Sequence, residues 1–139
     1  MRMRSEMIEI DHAHDIALIR VSGPVEIKDL RALTELLLEH PDHTPGMDEI
    51  WDIRDAELVG DTPSLFLSQA KYVASKQRQL AKYLGFVVAN QLQYGILRMW
   101  ESYSAGTTDQ EYEIFENARS ARVWILEKRA QEAPETDEP

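Results

Sequence analysis

The chain has 139 residues, no cysteine, and 25 acidic against 15 Lys/Arg residues, for a net charge of −10. That length fits one domain, expected over residues 6–130, with a core large enough to stand without staples. The missing cysteines exclude disulfide scaffolds, zinc–thiolate sites and cysteine nucleophiles, and the acidic balance argues against broad nucleic-acid binding. No apolar run approaches the roughly 18 residues of a membrane span, and no signal-peptide core follows Met1. A soluble, cytoplasmic protein is expected.

Residues 1–5 and 131–139 are expected to be flexible ends; the second, QEAPETDEP, has four acids and no large apolar residue. Between them strand and helix patterns alternate. Met7–Ile10 alternates apolar and polar residues and predicts a half-exposed strand. Asp11–Asp15 (DHAHD) is a polar break, and Ile16–Val21 is a second, more buried strand, closing a hairpin ended by Ser22-Gly23-Pro24. Glu26–His40 carries Ile27, Leu30, Leu33, Leu37 and Leu38 at helical spacing and stops at Pro41. Glu49–Ile53 is a short strand. Thr62-Pro63 opens a second helix, expected to run to Leu84 and to stop at Gly85.

Phe86–Ala89 predicts a buried strand of the parallel type. Leu92–Ser104 is a helix with Leu92, Ile96, Met99, Trp100 and Tyr103 on its inner face. Tyr112–Phe115 is the last strand, and Asn117 caps a helix to about Arg129, where Ala118 and Ala121 permit close approach to a sheet. The order β-β-α-β-α-β-α-β-α predicts an α/β fold with a mainly parallel five-stranded sheet, right-handed crossovers and one antiparallel edge strand.

Several common α/β chemistries are missing. The turn Ser22-Gly23-Pro24-Val25 has one glycine and a proline where a dinucleotide fold needs a glycine-rich turn. No P-loop and no Gly-x-Ser-x-Gly elbow occurs in the sequence. The acidic pair and lysine of a phosphoacceptor receiver are replaced by Ser22-Gly23 and Glu116-Asn117. No nucleophile–base pair is legible, so the chain is expected not to be an enzyme and to need no cofactor.

Four groups of residues remain as candidates. His12 and His14 point the same way on an extended segment and are weak metal-ligand candidates, with His40 or His43 as a third; the plainer alternative is a polar hairpin turn. From Thr62 to Trp100 there is no acid but five Lys/Arg residues, and Lys71, Arg78 and Lys82 fall on one stripe of the expected second helix. That stripe is either a solvated face or a surface for an anionic partner, such as weak contact with a membrane surface. The strand ends supply Ser22, Arg54, Asp55, Asn90 and Asn117, followed by Asp61, Thr62 and Ser64, as ligand or capping groups. Tyr94 and Leu97, beside Arg98 and Glu101, point away from the core stripe of the expected third helix, either as flank packing or as part of a self-association patch for a homodimer.

From Gly85 onward a short apolar strand leads to a polar turn, then Gly-x-x-Arg-Met-aromatic, a strand ending in Phe, and Ala-x-x-Ala-x-x-Trp. Together with the hairpin and EIWDIRDAEL, this resembles the bacterial SpoIIAA-like family of STAS/CRAL-TRIO-type domains over roughly Met7 to Leu126. The resemblance implies consecutive βα turns with an additional edge strand. It also implies binding functions of two kinds. A CRAL-TRIO-type domain holds a small apolar or lipid ligand between sheet and helix, for which Phe66, Tyr72, Met99, Trp100 and Tyr103 are the candidate lining; the same residues also satisfy a plain core. A STAS-type module binds a regulatory protein partner and takes a phosphate on a serine; Ser64 is the positional match and Thr62 its neighbour, although Ser-Gly is missing after it.

Overall fold

The computed structural model describes residues 7–59, 63–76, 80–104 and 109–132, and at residues 27, 58, 63–66, 103 and 104 the backbone alone. Strands β1 (Ile8–Asp11) and β2 (Ile16–Val25) form the hairpin. Then follow α1 (Ile27–Glu39), β3 (Asp48–Leu58), α2 (Pro63–Ser75), β4 (Tyr83–Val87), α3 (Gln91–Ser104), β5 (Glu111–Phe115) and α4 (Ala118–Glu132). The sheet order is β1-β2-β3-β4-β5, with β1 antiparallel to β2 and every later pair parallel.

Each parallel crossover advances one strand in the same direction. Right-handed connections therefore put α1, α2 and α3 on one face of the sheet and leave the other face to α4. The packing agrees: α2 touches α1 and α3, while α4 lies on β3, β4 and β5. The larger core sits under the three helices, where Ala17, Ile19, Val21, Trp51, Ile53, Leu84 and Phe86 of the sheet meet Leu33, Leu37 and Leu97. The smaller core joins Ile16, Ile50, Tyr83 and Val87 to Ala121 and Ile125 of α4.

Local chemistry explains most boundaries. At the start of α1 the Glu26 N–H is received by the Asp29 carboxylate at 2.9 Å. His40, the residue before Pro41, is extended, as a residue preceding proline prefers, and the helix stops there. Asn90 and Asn117 accept the backbone N–H groups of Gln93 and Ser120 at 2.9 and 2.8 Å, capping α3 and α4.

Several boundary expectations need correction: β3 runs from Asp48 to Leu58 rather than Glu49–Ile53, and β4 covers Tyr83–Val87 rather than Phe86–Ala89. β2 does not end at Gly23-Pro24 but runs through them, paired with β3 as far as Val25 and Leu58. A register shift between Arg20 and Ser22 makes room for an extra β3 residue. α2 ends at Ser75, not Leu84. Gly85 lies inside β4, and a Cβ there would sit 2.9 Å from the Cβ of Ala121. The glycine is required by helix–sheet contact rather than by a helix stop, and Ala121 is the close-approach residue from the helix side. α4 also includes Gln131 and Glu132, expected above to belong to the flexible end.

Candidate ligand-binding site

Between the helical layer and the sheet lies a cavity of about 80 Å³. Its floor is a two-by-two block of sheet side chains, because the β3–β4 register sets Glu49 opposite Leu84 and Trp51 opposite Phe86. Leu30 and Thr34 of α1, Gln69 and Val73 of α2, and Ile96, Leu97 and Trp100 of α3 form the walls. Leu80 and Gln110 close the end where β4 and β5 begin. The cavity is therefore at the amino-terminal half of the parallel strands. The strand-end expectation pointed to the opposite end.

Two adjacent acids organise this end. Alternation sends Asp48 and Glu49 to opposite faces of the sheet. Glu49 accepts the Trp51 indole N–H at 2.9 Å and the Ala81 N–H at 3.2 Å. Asp48 accepts the Tyr83 N–H at 2.9 Å and the Arg129 guanidinium at 2.7 Å. Together they collect backbone donors of the segment that enters β4, which a continued α2 would have used internally. Burial pushes the Glu49 carboxyl up to about 7, against the hydrogen bonds from Trp51 and Ala81. Asp48 is also raised by burial, in spite of Arg129.

Gln69 lines the same cavity, is only 6% exposed, and its Oε1 has no hydrogen-bond partner among the described residues. Gln110 spends its amide N–H on the Ala81 carbonyl at 2.9 Å. An apolar cavity with a few convergent polar groups and one strongly shifted carboxyl has the general character of a small-molecule site.

The candidate lining fares unevenly. Trp100 borders the cavity. Met99 is 47% exposed and faces outward. Tyr72 sits in an outer groove with Arg31, Leu67, Ser68 and Lys71, where the Arg31 guanidinium stacks over its ring at 4.6 Å. The side chains of Phe66 and Tyr103 lie outside the described atoms. The α3 face is one residue out of phase: Gln93, Ile96, Leu97 and Trp100 face inward, and Leu92 is 71% exposed. Leu97 is thus core, not surface. Tyr94 is exposed as expected, and its hydroxyl accepts hydrogen bonds from Arg98, which also pairs with Glu101 at 2.8 Å.

The basic stripe dissolves with the shortened helix. Lys71 stays on α2 and exposed, but Lys82 precedes β4 and pairs with Glu132 of α4 at 2.8 Å, while Arg78 lies outside the described residues. Ser64 falls in the first turn of α2; its side chain and the whole of Thr62 lie outside the described atoms.

The DHAHD segment is occupied by structure. His14 pairs with Asp11 at 2.9 Å, and His12 approaches Asp42 at 3.8 Å. The His14 bond, with Arg122 of α4, pulls Asp11 down to about 2 against partial burial. Asp15 adopts a left-handed conformation, its carboxylate accepts the Thr44 hydroxyl at 2.7 Å, and Arg129 donates to the carbonyls of His14 and Asp15. Among the described residues no group of three or more His, Asp or Glu side chains is placed to hold a metal.

At the carboxyl ends of the strands a second pocket, of about 490 Å³, runs past Arg54, Asn90, Tyr94 and Glu116. Its polar groups have structural partners: Asn90 caps α3, and Arg54 is bidentate to Asp52 at 3.0 and 2.8 Å. Burial raises Asp52, but the bonds and charge of Arg54 outweigh it and leave the carboxyl lowered. Gln93 is the residue the sequence pattern hid. Beyond Asp52, β3 has no β4 partner, and the Gln93 amide reaches the carbonyls of Ile53, Ala56 and Arg54 at 2.8, 2.9 and 3.3 Å. Its own Oε1 accepts the Ala89 N–H at 2.7 Å.

No family model and no curated protein matches the chain. Among solved structures, an uncharacterized protein of the DUF3478 family with a SpoIIAA-like fold, from Shewanella loihica PV-4, is similar with a TM-score of 0.57. The match covers 85% of this chain and 91% of that one, at 20% identity. Likeness at that identity concerns the backbone architecture alone. No helix among the described residues is long and apolar enough to cross a membrane. The strand order, the antiparallel hairpin and this structural neighbour together establish that the chain has a SpoIIAA-like fold.

Proposed function

We propose that the chain is a non-enzymatic binding domain for a small, largely apolar ligand, held between the helical layer and the sheet in the CRAL-TRIO manner. The cavity itself carries this reading. It is walled by Trp51, Leu84, Phe86, Leu97 and Trp100, yet it retains a buried carboxyl and a buried amide. A plain core would be filled to native density and would not leave a carbonyl oxygen such as Gln69 Oε1 buried without a partner. Its size sets the scale of the ligand. About 80 Å³ is roughly half the volume of an apolar cavity that accepts benzene, so a single ring enters only with some yielding of the walls and a long acyl chain does not fit.

The three tryptophans provide the test. Trp51 and Trp100 border the cavity, and Trp124 packs on the opposite face beside Tyr83 and Phe115. Titration with ring-sized probes is expected to shift the indole N–H resonances of Trp51 and Trp100 and to leave that of Trp124 in place. Equal shifts at all three, or none, would count against the proposal.

A further inference from the structure

The cavity has a chemical bias that its apolar walls do not predict. The Thr34 hydroxyl donates to the Leu30 carbonyl at 3.0 Å, so it presents only lone pairs to the interior. Both carboxylate oxygens of Glu49 accept hydrogen bonds, and among the described residues no basic side chain pairs with it. Gln69 Oε1 is buried at the cavity wall with no donor. Among the described residues Gln69 Oε1 therefore lacks a donor, and a buried acceptor without one carries its full desolvation cost.

We infer that the ligand is a neutral, ring-sized molecule bearing one hydroxyl or N–H group, and that this donor bonds Gln69 in the cavity it shares with Glu49. The inference rests on the binding function proposed above and adds the ligand's polar group. The flat faces of Trp51, Phe86 and Trp100 suit a ring. Neutrality follows from burial, since a cation would have to leave water for an apolar enclosure. The Glu49 carboxyl, raised to about 7 by burial, does not demand a positive partner.

Phenol and toluene are isosteric probes that differ in a hydroxyl against a methyl group. Calorimetric or NMR titration of the parent protein is expected to give phenol the tighter binding, by about tenfold, because a site built around acceptors penalises the analogue that leaves them bare. Toluene binding as tightly as phenol or tighter would overturn the inference while leaving an apolar ligand site standing. Binding of neither would remove both. In Gln69→Leu the preference is expected to move to toluene, and a phenol preference that survives unchanged would show that Gln69 is not the acceptor. The comparison within the parent decides whether the site favours a donor even if the variant fails to fold.

Discussion

Gln93 does with one side chain what a longer β4 would otherwise do. Its amide meets three β3 carbonyls and one N–H of the turn before α3, all in a largely buried setting. Gln93→Ala strands those groups and is expected to lower stability by about 2–3 kcal/mol in urea unfolding. A loss below about 0.5 kcal/mol would mean that water replaces the amide without difficulty. Gln69 is the reverse case. Its carbonyl oxygen is buried without a partner, so Gln69→Leu is expected to raise stability by about 1 kcal/mol in the absence of ligand.

Glu49 belongs to the same scale. Burial pushes its carboxyl up to about 7 in the fold, from the 4.5 of an ordinary glutamate. Between those values the folded chain keeps a proton that the unfolded chain releases. The contribution of Glu49 is therefore most favourable below the unfolded value, and about 3 kcal/mol is lost as pH rises through the folded value. Asp48, also raised by burial, acts in the same direction. Glu49→Gln has no proton to lose. Its stability between pH 5 and pH 8 is expected to vary less than the parent's by about that amount, whatever its cost at a single pH. Parallel curves for parent and variant would refute the assignment.

Elements were legible where local chemistry decides them. The hairpin, α1 with its stop at Pro41, and the Asn117 cap follow from alternation, apolar spacing and capping residues. The end of α2 was not legible, because its cause is tertiary. The acids that draw residues 81–83 into β4 lie some thirty residues earlier in the chain. Gly85 misled for a related reason: a glycine after an apolar helical pattern signals a stop, and nothing nearby reveals that Ala121 packs against it. A polar residue at Gln93 likewise concealed the true phase of α3, which moved Leu97 from the expected surface into the core. The side chains that matter most in the cavity, Glu49 and Gln69, look in the sequence like ordinary polar positions.

The β4–α4 contact can be tested as a pair. With 2.9 Å between the two Cβ positions, Gly85→Ala forces α4 outward and is expected to cost about 1–3 kcal/mol. Ala121→Gly in the same chain is expected to recover part of that loss, giving a favourable coupling in a double-mutant cycle. Strict additivity would place the strain elsewhere. Arg129 is the second tie across this face, joining Asp48 to the hairpin turn. Arg129→Ala is expected to speed hydrogen exchange through the β1–β2 turn and at Tyr83, and to leave α3 unchanged.

At the scale of the molecule, the single winding direction explains where a ligand has room. Three helices share one face, α4 alone supports the other, and the cavity opens where α1, α2 and α3 meet over the start of β3 and β4. The polar residues at the carboxyl ends of the strands are engaged in capping and bulge geometry, so the usual strand-end rule does not locate this site. The net charge of −10 had left room for a basic helix stripe toward an anionic partner, but Lys82 is turned to Glu132 and the stripe is not continuous.

The central claim is that the space between the helical layer and the sheet is a ligand site. Intermolecular nuclear Overhauser effects from a saturating ring-sized probe, phenol, test it most directly. The account predicts contacts to the side chains of Trp51, Phe86 and Leu97 and none to Trp124. Contacts confined to Trp124, or to the outer groove at Tyr72, would contradict it.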